Sequence, residues 1–263
     1  MSYETILVER DEAEKIATVT VNRPDKLNAL SSVVLRELVE AFDELEKDPN
    51  VRAVIMTGAG SKAFIAGADI SELNKLPSAA DAAKHARLGQ SVTFKIERLN
   101  KPVIMAINGF ALGGGLELAM AGDIRIAADT AQVGQPEIDL GIFPGFGGSQ
   151  RLPRLVGPGM AKIMIYGGKR INAQEALRIG LVDVVVPADS LLNEARNMAK
   201  LFASKPPIAL SLAKAAINEG LEMDLDRACG LEADKFGIVC ATEDKAEGTA
   251  AFLEKRKAEF KGR

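Results

Sequence analysis

The chain has 263 residues, of which 47% are hydrophobic, enough for a substantial buried core. Its formal net charge of -3 gives no overall attraction to nucleic acid or anionic membranes, so we expect neither as a partner. The two cysteines, Cys229 and Cys240, have no CxxC or zinc-ligand spacing, and the first residues show no leader pattern, so we expect a cytoplasmic protein without a disulfide scaffold.

Strands and helices alternate through the first two thirds of the chain. A run of β-branched residues predicts a strand over 16–21 that ends in a turn at Asn22-Arg23-Pro24, and helical spacing predicts a helix over 30–45. The next predicted elements are a strand over 51–57, a helix over 78–99, and strands over 102–107, 124–127 and 181–186. This alternation is typical of an α/β core with a largely parallel sheet.

After Pro187 the pattern changes to helices alone, predicted over 191–203, 207–218, 225–239 and 243–260. We therefore expect an α/β core over 1–187 and a helical C-terminal subdomain over 188–263, within one structural unit. The longest apolar stretch, 102–122, contains Asn108, Glu117 and five glycines, which suits a buried strand-turn-helix better than a membrane span.

The sequence argues against two common kinds of active site. The single histidine, His85, lies in the helix predicted over 78–99 and has no serine or cysteine motif nearby. Histidine triads and metal sites are therefore not expected, and His85 is assigned a surface or packing role. The segment 58–63 nearly matches the dinucleotide pattern G-x-G-x-x-A, but a loop rather than a helix is predicted after it, so no nicotinamide site is expected.

Two glycine-containing loops are candidates for binding an oxyanion. Gly113-Gly114-Gly115 leaves backbone N–H groups bare at the predicted start of an apolar helix, where the helix dipole is positive. Close helix–sheet packing is the alternative explanation for these glycines. In a second loop, Gly67 and Ala68 could present further amides, and Asp69 could cap the next helix. One oxyanion donor contributes about 10²–10³ in rate, so a pair would be a large catalytic term.

Two glutamates lie beside glycine-rich turns. Glu117 is in the first turn of the apolar helix, and Glu137 follows Pro136 at the start of a short predicted helix. Stabilisation of a helix end explains either carboxylate alone. Burial among apolar neighbours, however, would raise the pKa of such a group and suit it to proton transfer near neutral pH. The pair therefore suits acid/base chemistry on a neutral carbon substrate.

Three segments, F-x-A-G-A-D-I (64–70), N-G-F-A-L-G-G-G-L-E-L (108–118) and Q-P-E-I with G-I-F-P-G-F-G-G-S-Q-R-L (135–152), together resemble the crotonase family, specifically its enoyl-CoA hydratases. The resemblance spans nearly the whole chain. It implies the crotonase (ClpP-like) fold, a spiral of ββα units whose helical C-terminal subdomain builds trimers that pair into homo-hexamers. It also implies addition of water to the 2,3 double bond of a 2-enoyl-CoA, giving a 3-hydroxyacyl-CoA as in fatty acid beta-oxidation, with coenzyme A as part of the substrate and no separate cofactor or metal.

The resemblance also assigns site residues. The amides of Ala68 and Gly114 hold the thioester oxygen and stabilise the developing enolate. Glu117 acts mainly as base toward one water, and Glu137, the protonated partner, serves the α-carbon. Gly145 adds a backbone contact to this water or to Glu137. The implied substrate contacts are Lys26, Leu27, Lys62, Ala66, Asp69 and Ile70, with Phe252 and Lys255 donated by a neighbouring subunit. Ser71 stands where many relatives carry a lysine, which bears on one phosphate contact.

Other activities occur among relatives of this kind. Isomerases, hydrolases and dehalogenases usually keep only one of the two glutamates, so the pair favours a hydratase, with another acyl-CoA lyase or isomerase as the alternative. Some relatives bind RNA through a lysine-rich helix. The corresponding segment here has Lys84 and Arg87 and little else basic, so RNA binding is not expected. The segment 81–90 is expected to shape the acyl-chain pocket.

Overall fold

The structure, a computed structural model, describes residues 3–263. The strands in this range are β1 (Ile6–Asp11), β2 (Ile16–Val21), β3 (Ala53–Gly58), β4 (Ala63–Ile65), β5 (Val103–Ile107), β6 (Phe110–Leu112), β7 (Ile124–Ala128), β8 (Gln132–Gly134), β9 (Arg170–Asn172) and β10 (Val184–Val186). The α-helices are α1 (Ser32–Lys47), α2 (Ile70–Leu73), α3 (Ala79–Arg98), α4 (Gly114–Ala119), α5 (Gly148–Val156), α6 (Pro158–Tyr166), α7 (Ala173–Arg178), α8 (Leu191–Ala203), α9 (Pro207–Gly220), α10 (Leu225–Cys240) and α11 (Glu243–Leu253). Short 3₁₀ helices cover Pro24–Lys26, Pro136–Leu140 and Ala188–Ser190.

The strands form two sheets. The larger has the order β1-β2-β3-β5-β7-β10, with all neighbours parallel except β1 and β2. The smaller has the order β4-β6-β8-β9, with β4, β6 and β8 parallel and β9 antiparallel to β8. Strands β3, β5 and β7 of the larger sheet each lead into a strand of the smaller sheet and then into helical structure. This repeated ββα unit winds the chain into a spiral and confirms the predicted α/β class.

The central strands of the larger sheet are buried on both faces. Every residue of β3 and β5 is buried, which explains why their sequences are apolar without alternation. Helix α8 packs against β3, β5 and β7 through Leu191, Ala195 and Ala199. The core packing therefore continues beyond residue 187, and the division into 1–187 and 188–263 stays a prediction.

Two elements have boundaries that differ from those predicted. The strand predicted over 181–186 begins only at Val184, because Leu181 N–H donates to the Ala176 carbonyl at 2.8 Å and so closes the end of α7. The helix predicted over 243–260 ends at Leu253. There Lys255 takes a left-handed φ of 56°, and Arg256 N–H donates back to the Ala251 carbonyl at 3.0 Å, which is the hydrogen bond of a Schellman cap.

Within residues 3–263, no helix has both the length and the apolar character needed to cross a membrane. The stretch over 102–122 instead forms β5, β6 and α4. The segment 58–63 leads into β4 and not into a helix, so the dinucleotide-type turn does not form.

Candidate active site

Helix α4 places Glu117 in the interior. The helix begins inside the glycine triplet, with Gly113 as its N-cap at a φ of 52°, a left-handed conformation that favours glycine. Glu117 follows in the first turn and is only 2% exposed. Its Oε1 accepts hydrogen bonds from the backbone N–H groups of Phe146 at 2.7 Å and Gly148 at 2.6 Å. The carboxyl group is therefore held by the loop 145–148, which precedes and opens α5.

Burial raises the pKa of Glu117 to about 7. The amides of Gly148 and Phe146 and the positive charge of Arg151 act in the opposite direction, because they stabilise the carboxylate. These opposing effects leave both protonation states accessible near neutral pH. A carboxyl group with this balance suits proton transfer.

Glu137 lies in the 3₁₀ helix Pro136–Leu140, where Pro136 opens the helix as predicted. Burial, and next the charge of Glu117, raise the pKa of Glu137 to about 8. The side chain of Gln135 is fully buried. With its amide nitrogen facing Glu137, Gln135 donates to Oε1 at 2.6 Å and to Oε2 at 3.0 Å. Because the charge of Glu117 acts on Glu137, the two glutamates titrate as an interacting pair, which favours one proton shared between them near neutral pH.

The backbone N–H of Ala68 points away from Leu30, the residue that its loop is hydrogen-bonded to. Leu30 N–H donates to the Gly67 carbonyl at 2.9 Å, and Asp69 N–H donates to the Leu30 carbonyl at 2.8 Å. In a trans peptide the N–H points opposite to the carbonyl of the same unit. The Ala68 N–H therefore points away from Leu30.

The second amide belongs to Gly114, the first residue of α4, whose N–H has no acceptor within the helix. The two loops lie side by side, since a Cβ built on Gly113 would be 3.8 Å from the Cα of Gly67. The same Cβ would be 3.3 Å from Oε1 of Glu137. Two amide-bearing loops and a carboxyl group thus meet at one place.

The residues expected to contact the substrate lie at exposed positions or in the turn beside the Ala68 loop. Lys26 and Lys62 are exposed, and the carbonyl of Leu27 accepts a hydrogen bond from Ala66 N–H at 3.1 Å, which joins the first turn to the Ala68 loop. Ile70 is 49% exposed.

Asp69 has a structural role in addition to any contact it makes through its backbone. Its carboxylate caps α2, accepting from Ser71 N–H at 3.2 Å and from the Ser71 hydroxyl at 2.7 Å, and pairs with Arg23 at 3.1 Å. The capping role expected from the sequence is therefore confirmed.

Phe252 and Lys255 lie at the end of α11. The ring of Phe252 is 83% exposed, so most of it contacts nothing in its own chain.

Near the glutamates, His85 is half-buried and packs its ring against Phe146 at a centroid distance of 5.6 Å.

The sequence assigned no role to Gln135, to the amides of Phe146 and Gly148, or to Arg151. Gln135 and Arg151 do carry a signal, because both are polar residues inside the quoted glycine-rich motifs. The amides carry none, since every residue except proline has a backbone N–H. Gly145, expected to contact water or Glu137, offers its carbonyl to Gln90 Nε2 at 2.9 Å, and its amide lowers the pKa of Glu117.

Comparison with known proteins gives one consistent result. The family model described as enoyl-CoA hydratase/isomerase matches residues 11–263. A curated protein of Syntrophomonas wolfei named crotonyl-CoA hydratase is 54% identical, covering 99% of each chain. One of Clostridium acetobutylicum named short-chain-enoyl-CoA hydratase is 50% identical over 100% of each. The crystal structure of an enoyl-CoA hydratase from Bacillus anthracis has a TM-score of 0.94 and 42% identity, covering 99% of this chain and 100% of that one.

Proposed function

The chain belongs to the enoyl-CoA hydratase/isomerase family and is an enoyl-CoA hydratase, a hydro-lyase, and from this we propose that it hydrates short-chain 2-enoyl-CoA thioesters in fatty acid beta-oxidation. We further propose that Glu117 and Glu137 carry the proton transfers. The observation that supports this most is the meeting of the Glu137 carboxyl group with the two amide-bearing loops, beside a second buried carboxyl group.

In the proposed reaction, the thioester oxygen accepts hydrogen bonds from the Ala68 and Gly114 amides. Glu117 takes a proton from a water molecule whose oxygen bonds to C3. The electron pair of the double bond moves toward the thioester oxygen, which becomes an enolate held by the two amides. C2 then takes a proton from Glu137, so that one water has been added and the carbonyl restored. The higher pKa of Glu137 suits it to arrive protonated.

Coenzyme A binding is proposed along the rim formed by the first turn and the Ala68 loop. Lys26 and Lys62 are exposed cations there and suit contacts with phosphate groups. The backbone of Ala66–Ile70 carries the Ala68 amide and is joined to the first turn by the hydrogen bond from Ala66 N–H to the Leu27 carbonyl, so one extended ligand would pass from the lysines to the glutamates. Gly145 is proposed to contribute a backbone contact on the water side.

The function is tested by mixing the purified protein with crotonyl-CoA and following loss of the conjugated thioester's ultraviolet absorbance. We expect rapid loss and a 3-hydroxyacyl-CoA product identified by mass spectrometry. We also expect kcat/KM to be lower for 2-decenoyl-CoA than for crotonyl-CoA. Turnover to a shifted double bond without gain of water would identify an isomerase instead, and absence of turnover with both substrates would refute the hydratase proposal.

A homo-hexamer, built as a dimer of trimers, is proposed from the surface of the C-terminal helices. In α9 and α10 no residue is fully buried within the described chain. Large apolar side chains that are at least 45% exposed extend along α9–α11 and the turns between them: Ile217, Leu221, Met223, Leu225, Phe236, Ile238, Phe252 and Leu253. Apolar surface of this extent is typical of a subunit interface.

Lys255 is proposed to reach the coenzyme A site of a neighbouring subunit. Lys255→Met is then expected to raise KM for crotonyl-CoA several-fold with little change in kcat, because the lost contact is made equally in ground and transition states. Lys257→Met, two residues further along the exposed tail, is the control and is expected to leave KM unchanged. Sedimentation velocity measures the assembly. A monomer at micromolar concentration, or equal KM for both variants, would contradict this arrangement.

The cytoplasmic location and the absence of a cofactor stay predictions.

A further inference from the structure

We propose that Arg151 is a positioning residue for Glu117, because its guanidinium group fastens the loop 145–148 to helix α3. The inference rests on the proposed function, in which Glu117 takes the proton from water. Nothing in that function assigns a role to Arg151, which lies in α5.

The loop 145–148 is the support of the Glu117 carboxyl group. Both of its donors, the N–H groups of Phe146 and Gly148, contact the same oxygen, Oε1. A shift of this loop would therefore move or release the carboxyl group. The position of the Glu117 carboxyl group therefore depends on the contacts that fix the loop 145–148 to the rest of the protein.

Arg151 binds the back of this loop. Its backbone N–H donates to the Gly147 carbonyl at 2.9 Å as α5 begins. Gly147 has a φ of 110°, and a Cβ there would collide with Nη1 of Arg151, so the guanidinium group lies against bare backbone. Nη1 also approaches the Phe146 carbonyl at 3.5 Å. The guanidinium group thus contacts the residue that supplies one of the two donors.

The other side of the guanidinium group is fixed to α3. Nη1 donates to the Thr93 hydroxyl at 3.2 Å, and Nη2 donates to Glu97 at 2.6 Å. Thr93 is fully buried, and its hydroxyl proton is shared between the Gln90 carbonyl at 2.9 Å and the Phe146 carbonyl at 3.2 Å. The guanidinium carbon lies 5.3 Å from the centroid of the Phe94 ring. One planar fork therefore joins the loop and α3 at several points, a geometry that lysine does not reproduce.

The positive charge of Arg151 also stabilises the carboxylate form of Glu117. It lowers the pKa of Glu117 against the effect of burial and so favours the carboxylate that accepts a proton. The Arg151 side chain is only 13% exposed, so solvent screens this effect less than at a surface site. Glu97 on α3 forms an ion pair with Arg151, and Glu137 interacts with Glu117. Three further cations lie beside Arg151 between α3, α5 and α9: Arg98, Arg154 and Lys214.

Arg151 also lines a surface groove. The groove, with a volume of about 690 Å³, lies behind the loop between α3, α5 and α9, and Gly147 lines it as well. The hydrogen bonds of Arg151 therefore support the loop on the side that faces this groove.

The test compares Arg151→Met and Arg151→Lys with Arg154→Met, a matched control three residues along α5 whose guanidinium pairs with Glu222 at the surface. Arg151→Met is expected to lower kcat on the order of 10–100-fold, with KM changed less than twofold. Arg151→Lys is expected to lose kcat as well, while keeping the acidic limb of the pH–rate profile closer to that of the wild type. Arg154→Met is expected to stay within twofold in both constants.

A second readout needs no turnover. The side-chain ¹³C signal of Glu117, assigned by its disappearance in Glu117→Gln, is titrated in each variant, and its midpoint is expected to rise in Arg151→Met. Thr93→Val, which removes only the shared hydroxyl, is expected to lower kcat in the same direction by a smaller factor. Equal kcat in Arg151→Met and Arg154→Met, or an unchanged Glu117 midpoint, would overturn the inference. A wild-type protein without hydratase turnover would refute the proposed function, and the titration would still decide the role of Arg151.

Discussion

Glu137→Gln is expected to lower kcat for crotonyl-CoA hydration by about 10²–10⁴-fold, the usual contribution of a positioned acid or base, and Glu117→Gln by a similar factor. The amide of glutamine keeps the size of the side chain but neither donates nor takes the proton. Because the two carboxyl groups act on one water and one carbon, the double variant is expected to lose little more than either single variant. Stopped-flow absorbance at saturating substrate measures these rates.

Asp139→Asn is the matched control for Glu137. Asp139 is exposed and lies two residues further along the same 3₁₀ helix, and its carboxyl group is likewise replaced by an amide of the same size. Its kcat is expected to stay within twofold of the wild type. A loss in Asp139→Asn equal to that in Glu137→Gln would indicate a general electrostatic effect and argue against a specific proton transfer.

The glutamine variants also provide a check that lost activity does not reflect lost folding. The native pKa of Glu117, about 7, lies above its ordinary value of 4.5, so native wild type loses stability as pH rises from 4.5 through 7. Glutamine removes this cost, which is about 3 kcal/mol at most. Glu117→Gln is therefore expected to gain stability relative to the wild type between pH 5 and pH 9, measured by urea unfolding. A relative loss over that interval would contradict a raised native pKa of Glu117.

Much of the larger sheet and its helices could be predicted, because these elements are long enough to show a periodic pattern of hydrophobic residues or a helix-capping residue. The helix predicted over 78–99 is α3, and Ser78 accepts from Asp81 N–H at 3.2 Å as its N-cap. The strands of the smaller sheet have three residues each and show no period. Their pairing depends on where the longer strands end, which is a property of the assembled spiral.

The candidate site shows the same division between local and distant information. The glycine triplet and the two glutamates are visible in the sequence because unusual residue types mark them. The support of Glu117 is not visible, because it depends on amides about 30 residues away and on contacts between Arg151 and Thr93, which are 58 positions apart. The groups proposed to react are therefore marked in the sequence more clearly than the groups that hold them.

Removing the Ala68 N–H is expected to lower kcat by about 10²–10³-fold, the usual contribution of one oxyanion donor. Replacing Ala68 with lactic acid by nonsense suppression turns the amide into an ester and keeps the methyl group. The enolate charge develops only as water adds, so the lost hydrogen bond is stronger in the transition state than in the bound substrate. We therefore expect kcat to fall much more than KM rises. Glycolic acid in place of Gly114 is expected to act in the same way.

The control for these esters is lactic acid in place of Ala79, the exposed first residue of α3, whose N–H likewise has no acceptor within its helix. An ester at Ala68 also weakens the Gly67 carbonyl as acceptor for Leu30 N–H, so unfolding is measured beside kcat. If the Ala68 ester lowers stability but leaves kcat equal to that of the Ala79 ester, the Ala68 amide has a structural role alone. If kcat falls while unfolding is unchanged, the amide contributes to catalysis, because only the developing enolate distinguishes the two esters.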